Sequence, residues 1–353
     1  MNESSEPVGN QAGEPGQVPF QTSLVELLHR MWGRLPSESE VKIWMQRLRE
    51  GLSGRAFIAL VTRTKSFQTY RFLPVKVPAG HYYSPVVDPD SIGDYHEASL
   101  GTRPEEIAGI VFPLDEMAEF WRRNEAFISA TPFRDQSDSE NRYGYRSGPY
   151  PYGDAITLRA IIGHYRPRRI IEIGSGASSV CMLDSAEHAG LDDFQLTCIE
   201  PFPTRLRSLL RPGDERRVTI HERGVQGMPL GLFQELEAND ILFIDSTHVL
   251  KTGSDVHYEL FHILPALKPG VLVHFHDCRY PFEYSRQLVF EKRYSWNEAY
   301  GVRALLMYSS RFRVVFYNSL FAQKYEELIR AICPDFLKNP GSSLWIEVLR
   351  QTE

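Results

Sequence analysis

An α/β fold on an open, mostly parallel sheet, preceded by a small helical domain, is what this sequence predicts. Three observations carry the prediction. The run Ile170-Ile-Glu-Ile173 ends in Gly174-Ser-Gly176, and small residues lead into Val180-Cys-Met-Leu183: a strand, a tight turn and a helix start. From Asp154 to Val348 short apolar runs alternate with stretches of helical period, as parallel strands joined by right-handed crossovers do. Between Ser23 and Val61 apolar residues recur at helical spacing.

The 353 residues are long for one core and suit two or three units, and the 42% apolar content allows a well-buried one. Net charge is −6, from 39 basic against 45 acidic residues, which argues against nucleic acid as an obligatory partner. Cys181, Cys198, Cys278 and Cys333 are widely spaced, so neither a disulfide framework nor a cysteine metal cluster is expected. No apolar run reaches the length of a membrane span, and the first residues carry no basic-then-apolar signal. A soluble, cytoplasmic protein is expected.

In chain order, residues 1–20 are rich in Gly, Pro, Glu, Gln and Asn and predict a disordered tail. Residues 21–72 predict a helical domain: Leu24, Leu27, Leu28 and Met31 on a first helix, Val41, Trp44, Met45 and Leu48 on a second capped by Ser37, and Phe57, Leu60 and Val61 on a third opened by Ser53. A docking or dimerisation module is the plain reading. Residues 73–150 predict a linker and lid region. They hold an extended Pro- and Tyr-rich stretch around His81, an amphipathic helix over 113–130, and the polar aromatic loop Asn141-Arg-Tyr143-Gly-Tyr145-Arg146. Residues 151–353 carry the α/β pattern. Strands are expected at 170–173, 194–199, 218–221, 241–244 and 271–275, with a final pair at 312–317 and 343–348 as an added antiparallel edge.

Ligands in open α/β sheets bind beyond the carboxyl ends of the strands, so the polar residues there are the informative ones. Glu172 and the turn Gly174-Ser175-Gly176 stand at the first end, Glu200 at the second, Gln226 after the third, Asp245 at the fourth and His276-Asp277 at the fifth. The glycines keep Cβ atoms away from a ligand, and the following helix offers unpaired N–H groups. Glu200, 26 residues beyond Gly174, suits both ribose hydroxyls of a nucleoside, and Gln226 suits an adenine edge. Asp245 and Asp277 fall at neighbouring strand ends with His248 and His276 close by. Asp245, His276 and Asp277 fit a divalent metal site; equally, His248 or His276 with Asp245 fits acid–base work on a hydroxyl. Tyr280, Trp296 and Asn297, set among Glu283, Tyr284, Arg293 and Arg303, have the aromatic and polar mixture of a sugar or polyol pocket.

Glu172-Ile-Gly174-Ser-Gly176 resembles motif I of the class I S-adenosylmethionine (SAM) methyltransferases. Together with Asp245-Ser-Thr-His248, His276-Asp277 and Trp296-Asn-Glu-Ala-Tyr300, the segment from about 150 to 348 resembles a bacterial family akin to the cephalosporin-hydroxylase-like and macrolide-sugar O-methyltransferases. The resemblance implies a Rossmann-like seven-stranded sheet whose last strand is antiparallel, with SAM at the glycine turn. It also implies a lid before motif I, for which Tyr143, Tyr145 and Arg146 are the candidates, and carbohydrate modification. Magnesium members usually read Glu-Asp where this chain reads His276-Asp277. The N-terminal helices resemble a small bacterial domain of unknown function. Two rival functions are an NAD-dependent oxidoreductase, opposed by Ser179 where a third glycine is wanted, and a non-catalytic SAM- or nucleotide-binding module.

Overall fold

The computed structural model describes residues 24–28, 36–64, 81 and 83–350. The chain divides into two compact units, Met1–Pro78 and Ala79–Glu353. The tail expected at 1–20 lies outside the described residues.

In the first unit, residues 24–28 are helical and α1 (Glu38–Arg49) and α2 (Gly54–Val61) follow. Ser37 and Glu40 form a reciprocal capping box at the start of α1, which satisfies two otherwise orphaned N–H groups. Leu24, Leu28, Val41, Trp44, Met45, Phe57 and Val61 form a small core, with Trp44 edge-on to Phe57 at 5.2 Å. Leu27 and Leu60, placed on the helical faces by spacing, are exposed.

The second unit contains one seven-stranded sheet. Its strands are β1 (Arg169–Ile173), β2 (Gln195–Ile199), β3 (Val218–His221), β4 (Ile241–Ile244), β5 (Leu272–Phe275), β6 (Phe312–Tyr317) and β7 (Leu344–Val348). They lie in the order β3-β2-β1-β4-β5-β7-β6, with β7 antiparallel to both neighbours. This is the Rossmann-like class I methyltransferase sheet that the resemblance implied. The order reverses at β1, where β2 and β4 flank it, so the crevice for a ligand opens there.

Before the sheet run α3 (Gly93–Leu100), α4 (Leu114–Arg123), α5 (Glu125–Ser129) and α6 (Tyr152–Tyr165). Within and after it come α7 (Ala177–His188), α8 (Thr204–Leu209), α9 (Leu230–Gln234), α10 (Asp255–Tyr258), α11 (Glu298–Leu306), α12 (Asn318–Lys324) and α13 (Glu326–Ile332). α10 continues into a π turn at Glu259–Ile263, and π turns concentrate at functional sites. Two expectations need correction. The helix read over 113–130 breaks at Asn124, whose side-chain amide bonds the Phe120 carbonyl at 2.7 Å. The late strands are joined by α12 and α13, helices that the strand reading passed over.

The segment before α6, read as linker and lid, is built into the core through Ile107, Met117, Trp121, Ile128, Phe133, Tyr143, Tyr145 and Tyr150. Its amphipathic helix buries Met117 and packs Trp121 against Phe316, Phe321 and Phe336, and burial of such aromatic area outweighs the freedom of a loop. Arg142 fastens the same segment to the sheet's flank. Its guanidinium donates to Asp184 at 2.7 Å, to Glu187 at 2.9 Å and to Asp214 at 2.6 Å. Burial opposes its charge, but those three carboxylates outweigh burial and hold the group protonated.

Removing one partner from a buried ion cluster leaves the others uncompensated, so Arg142→Met should cost about 3–5 kcal/mol of unfolding free energy. Arg146, exposed and 3.3 Å from Asp135, is the control: Arg146→Met should unfold close to wild type. Urea midpoints of the two variants check the contrast.

Candidate active site

The ladder does not stop where the strands do. Gly174 N bonds Ile199 O at 3.0 Å, Asp245 N bonds Ile173 O at 2.9 Å, and His276 N bonds Ile244 O at 2.9 Å. Glu200 N bonds His221 O at 3.1 Å. Four of the expected residues therefore stand on one rung across β2, β1, β4 and β5, one place beyond the paired Ile199, Ile173, Ile244 and Phe275.

On that rung Gly174 has φ +79°, and a Cβ there would overlap the carbonyl oxygen of Asp245. Backbone conformation and close approach both demand glycine. Gly176 differs: an added Cβ would meet only Arg205 Nε, at 4.0 Å, so its bare backbone faces open space. Together with Pro149, Tyr150, Ser175, Ala177, Ser178, Glu200, Arg205 and Asp245 the two glycines line a pocket of about 170 Å³. The carboxylate of Glu200 faces it and accepts from Ser175 N at 3.2 Å and Phe202 N at 2.8 Å.

Glu172 is not a pocket residue. Fully buried, its carboxylate accepts from Ser178 Oγ at 2.6 Å and from Ser179 Oγ, and Ser179 Oγ accepts from Gly176 N at 2.9 Å. The acid before the turn and the serine in place of a third glycine form one brace that fixes the turn on α7. Burial pushes the Glu172 carboxyl up to about 7 against the serine hydrogen bonds.

A second cluster adjoins Asp245. His248 Nδ1 bonds Glu298 Oε2 at 2.8 Å, while Nε2 faces Asp245 at 3.6 Å and Asp277 at 3.7 Å. The Trp296 ring lies 4.4 Å from the imidazole. His248 and Asp277 both have positive φ, +61° and +52°, a conformation that side chains resist and that collects at functional sites. Burial works against the charge on His248, but Glu298, Asp245 and Asp277 outweigh it and raise its pKa.

His276 is as buried as His248, and its Nδ1 makes no hydrogen bond among the described residues. Burial again opposes its charge, yet Asp245, Asp277 and Asp154 bring its pKa to about 9. A buried imidazole that the nearby carboxylates keep charged near neutral pH is less suited to act as a base than His248. Asp154 on α6 is itself fastened by Ser342 N at 3.0 Å, Ser343 N at 3.0 Å and Ser343 Oγ at 2.5 Å.

The metal trio Asp245, His276 and Asp277 does not fit. No group of three or more His, Cys, Asp or Glu side chains among the described residues is arranged to hold an ion. The imidazole edge of His248 stands where the two strand-end carboxylates converge. Other expected residues have other work. Tyr143 is fully buried with its hydroxyl on the Tyr150 carbonyl at 2.6 Å, and Tyr280 is 4% exposed with its hydroxyl on the Thr102 carbonyl at 2.8 Å. Arg146 pairs with Asp135 outside the pocket lining. Gln226 donates to the Gly253 carbonyl at 3.0 Å rather than lining the pocket, and Asn297 joins its amide to both backbone groups of Leu250. Of the expected substrate residues, Trp296 sets its ring against His248, and Asn297 donates its backbone N–H to the His248 carbonyl at 3.0 Å. Arg205, Tyr150, Glu298 and Asp154 were missed. Glu298 stood in the Trp-Asn-Glu stretch but read as a helix start; the others had no motif to mark them.

A family profile described as "Methyltransferase domain" matches residues 171–278. A protein of Archaeoglobus fulgidus, described as uncharacterized, is 29% identical over 169 residues, 46% of this chain and 75% of that protein. Solved structures similar to this chain include the O-methyltransferase TomG from Streptomyces achromogenes in complex with SAM, at 16% identity and TM-score 0.37 over 73% of this chain and 96% of that one. Another is the S-adenosylhomocysteine-bound methyltransferase PaMTH1 of Podospora anserina, at 15% identity and TM-score 0.36 over 74% and 95%.

Gly174→Ala should cost about 2 kcal/mol or more, from the left-handed backbone and the overlap with Asp245, whereas Gly176→Ala should melt near wild type. Thermal unfolding of both separates the two glycines. His276 provides a pH test. Its folded pKa, about 9, lies above the ordinary value of about 6.5, so its stabilisation is complete below 6.5 and lost as pH rises through 9. The difference in melting temperature between wild type and His276→Asn should shrink across that window.

Proposed function

We propose that the protein, whose residues 171–278 match a methyltransferase-domain profile, is a class I, SAM-dependent methyltransferase that methylates a hydroxyl of a saccharide or another small polar metabolite. SAM supplies an electrophilic methyl group on a sulfonium. The chain's own residues do the rest. The backbone of Gly174-Ser175-Gly176 gives a surface without side chains, and Glu200 takes the ribose hydroxyls. Arg205, in the same pocket, would hold the carboxylate of the amino-acid end.

One observation carries the acceptor side: an imidazole held at Nδ1 by Glu298, with Nε2 open to Asp245, which also lines the glycine pocket. His248 Nε2 takes the acceptor's hydroxyl proton as its oxygen attacks. Glu298, Asp245 and Asp277 stabilise the imidazolium that forms. The charge of His276 offsets the nearby carboxylates, and in this reading imidazole rather than metal supplies the acid–base chemistry. Trp296, with Tyr294 at 4.7 Å and Tyr300 beyond Tyr284, offers ring faces to the C–H side of a sugar. The helical unit has the part of a docking or dimerisation module. The brace of Glu172 and Ser179, which leaves no room for a dinucleotide glycine pattern, disfavours the oxidoreductase reading.

Titration calorimetry should detect SAM, and labelled methyl should pass from SAM to a pool of saccharides. His248→Asn should lower kcat by about a hundredfold or more while SAM affinity holds. Because the base acts unprotonated and its pKa is raised, kcat/KM should climb with pH on a limb lying above 6.5. Absence of SAM binding, or full activity in His248→Asn, would refute this reading.

A further inference from the structure

Beyond Asp277 the chain enters a groove larger than the glycine pocket, about 640 Å³, which the proton-transfer cluster does not use. Arg279, two residues after Asp277, forms one side. Ser319 and Gln323 on α12, Glu326 and Arg330 on α13, and Lys338 are among the residues forming the other. Three cations face one carboxylate there, in a chain whose net charge is −6. Two of the cations are locally engaged: Arg330 pairs with Glu326, and Lys338 with Asp335 at 2.9 Å. Arg279 is exposed and makes no ion pair among the described residues.

The groove and the proton-transfer cluster are linked through the chain that leaves β5 and the start of α6. Ser319 Oγ accepts from Tyr280 N at 2.9 Å, which fixes the chain leaving β5 against α12. Pro340, on the groove lining, packs onto Gly153 at the start of α6, and the next residue, Asp154, acts on His276. Arg279 follows Asp277 by two residues, so the groove begins at the strand end that carries the cluster.

We propose that this groove binds an anionic group, phosphate or carboxylate, on the acceptor, with Arg279 as its principal contact. The inference rests on the methyltransferase reading and narrows its substrate class from polar hydroxyl compounds to acidic ones. A planar guanidinium with free N–H groups suits either anion through paired hydrogen bonds. Arg279 is a binding residue here and takes no part in proton transfer.

The test uses the full-length, SAM-loaded protein titrated at low ionic strength with inorganic phosphate, glucuronate and glucose. Both anions should bind more tightly than glucose. Arg279→Gln should weaken the anions by about tenfold or more and leave glucose and SAM unchanged, and Arg279→Lys should recover part of the loss. Anions that bind no better than glucose, or that bind Arg279→Gln like wild type, overturn the subsite. Failure of SAM itself to bind the wild type is a separate result, and it strikes the methyltransferase reading rather than the groove.

Discussion

The approach of Gly174 to the Asp245 carbonyl is the constraint on which the site depends. It holds the turn after β1 against the end of β4, closer than any side chain permits. The hydrogen bonds that extend the ladder past each strand then align Glu200, Gly174, Asp245 and His276. A ligand at the bare turn consequently meets the acids of the neighbouring strands without any loop having to move. The Glu172 brace beneath performs the same service for α7, aiming its first N–H groups at the pocket from a position that never touches the ligand.

Charge in this centre is organised around two histidines of equal exposure. His276 has Asp154, Asp245 and Asp277 for neighbours, and its raised pKa follows from those carboxylates prevailing over burial. His248 is tethered at one nitrogen by Glu298, and its other nitrogen faces Asp245 and Asp277. The charge on His276 compensates acids that would otherwise repel one another. Two histidines that look alike in sequence therefore have unequal surroundings, and their partners are what separate them.

Much of the scaffold was legible in the residues. Apolar runs of four to six with a polar residue at the end located all seven strands within a residue or so, because strand length and strand-end chemistry are local properties. The glycine turn was legible for the same reason. The aromatic segments were not: Tyr143 and Tyr280 lie among polar neighbours and look exposed, yet each buries its ring and satisfies its hydroxyl on a distant carbonyl. Gln226 had the right position, but its amide found Gly253 first. Arg205, Glu298 and Asp154 gain their importance from contacts that cross tens of residues, which no local pattern encodes.

The Arg142 cluster has a consequence for excision of the catalytic half. A fragment begun at residue 151, where the α/β pattern starts, would keep Asp184 and Asp214 in the flank of the sheet and discard the guanidinium that neutralises them. It would also strip Trp121 and Tyr143 from the apolar face they cover. The smallest autonomous folding piece of this chain therefore begins well upstream of its first strand.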